Sequence, residues 1–246
     1  MSLTIKAEFN LPENFNYENL TFLKISSCSS ANINLINQPN AKLVRDIEIQ
    51  NISKRLIFEP TFMSKTIGII ELKNIGIISR ISHDTFINIT KIDLLKIENS
   101  RITNFDEQFT NLNIRNLILK NVTIDNMIGI NFSGDADTLK IIDTIIHNIK
   151  ENMNFAFFTT IEIINSTFEF KKSSDMWIQG KISKISNCIF SNVSINIVSR
   201  QRITMKNNCA DGKSSLRLSS MSTNSYDNKL PTEIIYTENK MSKDHK

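Results

Sequence analysis

Side chains that carry chemistry are sparse in this 246-residue chain. His83 is expected in a loop, His147 lies between Ile146 and Ile149, and His245 falls in the C-terminal tail. None has beside it the acid and nucleophile that a triad requires. Asp135 and Asp137 in SGDAD offer two oxygen ligands for calcium, but no third or fourth follows at regular spacing. Cys28, Cys188 and Cys209 are too few for a disulfide scaffold and lack C-x-x-C spacing. Cys188 and Cys209 form the one candidate disulfide. The sequence therefore predicts no catalytic residue, no cofactor site and no metal site, and a protein that is not an enzyme.

Charge supplies the other candidate. The chain carries a formal net charge of +4, concentrated between Lys171 and Arg217, where nine cations face only Asp175 and Asp211. Within this stretch Arg200, Arg202 and Lys206 form a candidate patch for an anionic ligand such as a sulfated glycan, an anionic membrane or nucleic acid. No aromatic interleaving or nucleic-acid motif favours the last, so no specific nucleic acid is expected. The alternative is a solvated basic face that serves solubility.

These residues must be positioned by something, and that something is a repeat. Matching polar positions fall at Ser27, Asn51, Asn74, Asn99, Asn121, Asp143, Asn165, Asn187 and Asn207, at intervals of 20 to 25 residues. Two residues before each stands an apolar side chain, from Ile25 to Met205, and four before stands another in eight of the nine, Ser183 being the exception. Between them lies a residue that is charged in seven of nine. Apolar and polar residues in alternation mark a strand with one buried face. The reading is a β-rich solenoid, a parallel stack of about nine rungs of 20–25 residues.

The repeat also organises the remaining candidates. Glu48 and Glu71 become neighbours in one outward column, the closest approach to the paired carboxylates of a polysaccharide lyase or hydrolase. Lys24, Lys96 and Lys140 interleave with them and predict a mixed, solvated face. Ten to twelve residues past six consecutive anchors stand Phe62, Phe86, Phe109, Phe132, Phe155 and Trp177. One ring per rung at a fixed phase predicts a stacked internal spine rather than a sugar platform. Asn favours turns and pairs with itself in ladders, so the anchor column is expected to be structural. Seven N-x-S/T sequons, at Asn19, Asn51, Asn88, Asn121, Asn131, Asn165 and Asn192, are close to chance for a chain with 31 Asn and 44 Ser plus Thr.

The run ISRISHDTFINITKIDLLKIENSRITNF, residues 78–105, resembles the leucine-rich repeat. Ser100, Thr144, Ser166, Cys188 and Asn208 fall where that family has the Asn or Cys that ties the turn backbone. Ile52, Ile75 and Val122 depart from it, and KISKISNCIFSNVSINI, residues 181–197, is more similar to a right-handed parallel β-helix. Together with Asn208-Cys209 near the end, the pattern resembles arthropod secreted repeat proteins. That resemblance implies an extracellular setting, although no signal peptide precedes the repeats and no run reaches the roughly 20 apolar residues of a membrane span.

The expected organisation is an N-terminal cap over 1–19, one solenoid domain over 20–210, and a C-terminal cap with a disordered tail over 211–246. The expected function is recognition: a monomeric, non-catalytic module presenting an extended surface to a protein or glycan partner. The alternatives are a structural component of an extracellular coat or matrix, and a polysaccharide-acting β-helix enzyme.

Overall fold

A strand that buries alternate side chains and meets a turn residue every 22 or so positions satisfies its backbone only by pairing with its own next repeat. In a computed structural model, which describes residues 8–10, 20–34, 44–59, 65–132, 136–229 and 234–236, the chain does this as a parallel β-solenoid of about nine turns. The strands are β1 (Glu8–Asn10), β2 (Phe22–Asn34), β3 (Asp46–Glu59), β4 (Thr66–Ser82), β5 (Lys91–Asp106), β6 (Asn113–Met127), β7 (Ile130–Asn131), β8 (Ala136–Ile142), β9 (Ile145–Ile149), β10 (Met153–Ile164), β11 (Thr167–Ser186), β12 (Ile189–Lys206), β13 (Cys209–Ala210), β14 (Ser215–Tyr226) and β15 (Ile234–Tyr236). The main path pairs them in chain order, β1-β2-β3-β4-β5-β6-β8-β10-β11-β12-β14-β15, with β7, β9 and β13 completing individual turns. Among the described residues one helix, α1 (His83–Phe86), spans four residues. No helix among the described residues is long and apolar enough to cross a membrane.

Each full turn has three strand segments. In β11, residues 167–169 pair with 189–191 of β12, residues 174–180 with 193–199, and residues 182–186 with 202–206. We call the face built by segments like 182–186, which run into the anchors, the leading face, and the one built by segments like 174–180 the rear face.

The anchors are the corners that follow the leading face. All nine have positive φ, from 49° to 62°, and Asp227, at 54°, makes a tenth. This left-handed region is costly for most side chains and tolerated best by Asn and Asp after glycine. The amides also join: Asn74 Nδ2 donates to Asn51 Oδ1 at 2.9 Å, Asn99 to Asn74 at 2.8 Å and Asn121 to Asn99 at 2.9 Å. The row resumes with Asn165 to Asp143 at 3.0 Å, Asn187 to Asn165 at 2.9 Å and Asn207 to Asn187 at 3.2 Å. It breaks between Asn121 and Asp143, because a carboxylate has no proton to donate backwards.

Inside, Ile97, Leu119, Ile141 and Ile163 pair in one column and are fully buried. The residue after each anchor also points inward, and in later turns it is polar. Ser166 Oγ donates to Ile164 O at 2.8 Å and accepts from Thr144 N at 3.2 Å, while Asn208 Oδ1 accepts from Cys188 N at 3.0 Å. Each such side chain supplies the partner that a buried corner amide would otherwise lack. Ser183, the one polar residue in the fourth position before an anchor, is fully buried and its hydroxyl has no partner.

Pairing continues past residue 210. β14 lies in register on β12 and carries β15 in turn. Leu216 and Leu218 point inward, but Thr223 and Ser225 take the places that Ile203 and Met205 hold one turn earlier. The interior thus turns polar at this end, as a terminal repeat requires. At the other end, of residues 1–19 only β1 is described, and it pairs with Ser30, Ala31 and Asn32. Asn19, Phe62, Asp135, His245 and residues 237–246 lie outside the described residues.

Candidate ligand-binding face

The side chains weighed for catalysis each meet an oppositely charged or hydrogen-bonding neighbour. Glu48 and Glu71 pair across β3 and β4, but each meets a lysine, Glu48 with Lys24 at 2.8 Å and Glu71 with Lys96 at 3.0 Å. His147 Nδ1 lies 2.6 Å from Glu169 Oε2 on the surface. His83 Nδ1 lies 3.2 Å from Glu107 Oε2. Glu107 is itself buried, and its other oxygen accepts from the Phe109 N–H, fixing a corner at φ 60°. Asp137 pairs with Arg115. Among the described residues no three His, Cys, Asp or Glu side chains come together as a metal site would require.

The candidate disulfide is not formed: Cys188 and Cys209 are both free thiols. Cys209 pairs with Ile189, the residue after Cys188, so strand alternation sends the two side chains to opposite sides of the wall. Cys188 is buried and Cys209 exposed. Burial pushes the Cys188 thiol up to about 11, so it stays protonated and donates to Ser186 O at 3.2 Å.

Arg200, Arg202 and Lys206 are exposed but spread apart. Arg200 lines a groove at the edge of the rear face, and Arg202 starts the leading-face segment that follows. Lys206 stands four residues beyond Arg202, about 13 Å along the strand, with its ammonium 5.4 Å from the Tyr226 ring centre.

The aromatic spine is real over four turns and then ends. Phe86, Phe109, Phe132 and Phe155 follow one another at centroid distances of 5.9, 5.2 and 6.3 Å, and all are buried. Trp177, expected as the next ring, is instead 39% exposed. The cause is a slip of one residue. Phe155 pairs with Ile178, not Trp177, because the path from Phe168 to Met176 is one residue longer than the path from Ile146 to Met153 one turn earlier. Met176 and Ile178 therefore take the interior, and alternation turns Trp177 outward. Register returns at a bulge between Phe155 and Phe158. There Phe157, at φ 67°, is 50% exposed. The break of alternation in FAFF, residues 155–158, was the sequence signal for it.

The slip and its bulge leave two aromatic rings on the rear face of adjacent turns. Trp177 stands in a column between Asn154 and Asn196, with Asn131 and Arg217 beyond them. Asn154 Nδ2 donates to Asn131 Oδ1 at 3.0 Å. The indole is the wall between two hollows, one of about 610 Å³ toward Asn131, Asn154 and Lys172, the other of about 240 Å³ toward Asn196 and Arg217. Its N–H makes no hydrogen bond among the described residues. Phe157 lines a groove of about 560 Å³ with Arg115, Gln179, Lys181 and Arg200. An exposed indole plane flanked by amides and cations can stack on the apolar face of a ring while its neighbours bond the ring's edge groups.

Comparison of the chain with protein-family models, curated proteins and solved structures finds no match. The class of protein is thus defined by its architecture, a parallel β-solenoid with an aromatic and amide-rich rear face.

Proposed function

We propose that this protein is a non-catalytic recognition module that binds a glycan on its rear face, in an extracellular setting. The observation that carries the reading is Trp177, the one tryptophan of the chain, held outward between Asn154 and Asn196 by a local change of register. A large aromatic side chain has every reason to sit in the core of a solenoid, and burial of this one would be worth about 2–3 kcal/mol. Its place outside points to a ligand that repays the exposure. Pairing of Glu48 and Glu71 with lysines supports a binding rather than a hydrolytic role.

The test is co-sedimentation of the chain with a panel of insoluble polysaccharides, together with titration of soluble oligosaccharides followed by indole fluorescence, which reports Trp177 alone. The expected result is saturable binding to at least one member, weakened about tenfold or more in Trp177→Ala by calorimetry, with no release of reducing ends. Absence of binding across the panel, or equal binding by the variant, overturns the reading.

A further inference from the structure

The groove lined by Phe157 adds the chemical class of the ligand. Its lining crosses six successive turns, with Lys91, Asn113, Asp137, Phe157, Gln179 and Arg200 each from a different one. At the strand spacing of about 4.8 Å, five intervals make a channel roughly 24 Å long that runs along the solenoid axis. A compact ligand would occupy a small part of it; a linear polymer of several residues spans it. The side chains that would rise from the floor are reduced where the channel is crossed by Ala136 and Gly180. A Cβ at Gly180 would stand 2.9 Å from Phe158 O, so this position is held bare by the packing beneath it.

The charges on the lining are not balanced. Lys91 is paired with Asp93 and Arg115 with Asp137. Lys181 and Arg200, at the other end, have no acid within ion-pair distance among the described residues, and both are exposed. Lys172 and Arg217, which flank Trp177 in the adjoining hollows, are likewise without an acidic partner. Gln179 and Thr159 add neutral donors and acceptors to the same lining. Asn113 also lines the groove, although its amide oxygen is buried and meets no hydrogen-bond partner among the described residues.

Resting on the glycan-binding reading, we infer that the groove takes a linear acidic glycan laid along the solenoid axis, with its acid groups at Lys181 and Arg200 and a sugar ring against Phe157. Carboxylate and sulfate share this chemistry. A single-stranded nucleic acid is also anionic, but its affinity rests on several bases stacked in succession, and the groove offers one ring over six turns.

The experiment titrates the full chain, by indole fluorescence and calorimetry, with oligogalacturonate, heparin oligosaccharide, neutral oligosaccharide of equal length and oligouridylate. It compares wild type with Lys181→Gln/Arg200→Gln and, as a control on the leading face, Lys120→Gln. The expected result is that one or both acidic glycans bind at least about tenfold tighter than the neutral one, with affinity falling as salt rises. The double variant is expected to lose about tenfold for the acidic glycan and nothing for the neutral one, while Lys120→Gln binds as wild type. Whether carboxylate or sulfate serves is read from the first two arms. Equal affinity for acidic and neutral glycans, an unaffected double variant, or oligouridylate binding as tightly as the acidic glycan overturns the inference and leaves the glycan-binding reading standing. Failure of every glycan to bind overturns both.

Discussion

Cys188 shows how one atom serves the wall of a solenoid. Its thiol fills an apolar site, donates to the carbonyls of Ser186 and Ile163, and sits under the corner that Asn187 makes. Because burial raises this thiol from 9.0 to about 11, the unfolded chain loses its proton first. Stability from this group is complete below about pH 9 and lost as pH rises toward 11, by up to about 3 kcal/mol. Urea unfolding at pH 7.5 and pH 10.5 should show a steeper decline for wild type than for Cys188→Ser, whose hydroxyl does not titrate. In the native state at pH 8, iodoacetamide should modify Cys209 and leave Cys188 and Cys28 unreacted, which peptide mass mapping checks. The spacing of the two late cysteines in sequence suggested a bridge. It could not show which side of the wall each would face, because that depends on pairing across turns.

At the scale of the element, the corner and its ladder are what the sequence made most legible. An anchor, Asn in seven of nine rungs, recurs every 20 to 25 residues with apolar side chains before it; it carries both the left-handed turn and the buried column, and both are found. The gap at Asp143 follows from the same logic. Replacing Asp143 by Asn supplies the missing donor toward Asn121 Oδ1 without disturbing Asn165, which can still donate to the new amide. The expected gain is about 0.5–1.5 kcal/mol, seen as a higher urea midpoint at unchanged slope. The rear face was much less legible. Its position was counted from the anchors, and counting assumes that every corner has the same length. Between Phe168 and Met176 the chain has one residue more than between Ile146 and Met153, and the compensating residue lies a turn earlier, at the Phe157 bulge. Nothing in a single sequence marks a corner of polar residues as long or short, so counting puts Trp177 with Phe155, whereas it stands beside Asn154.

For the whole molecule, stability is a sum over neighbours, so the turns need not open together. The buried columns are most complete from β4 to β12, while β14 presents Thr223 and Ser225 inward. Amide exchange followed by mass spectrometry should therefore find protection highest in β5, β6, β10 and β11 and lower by several kcal/mol in β14, with exchange spreading inward from that end as urea is added. Uniform protection along the rod would refute a nearest-neighbour account.

The one-residue slip between β10 and β11 is, in the language of reading frames, an insertion and a deletion placed one turn apart. Between them a single strand segment runs one residue out of step with the turn before it, so the residue that a fixed count from the anchor would bury is turned outward. A stacked coil can therefore change what one rung displays without rewriting the rungs above and below it. Its surface can be edited locally, much as a letter is changed on a spool of tape, while the core keeps a common text.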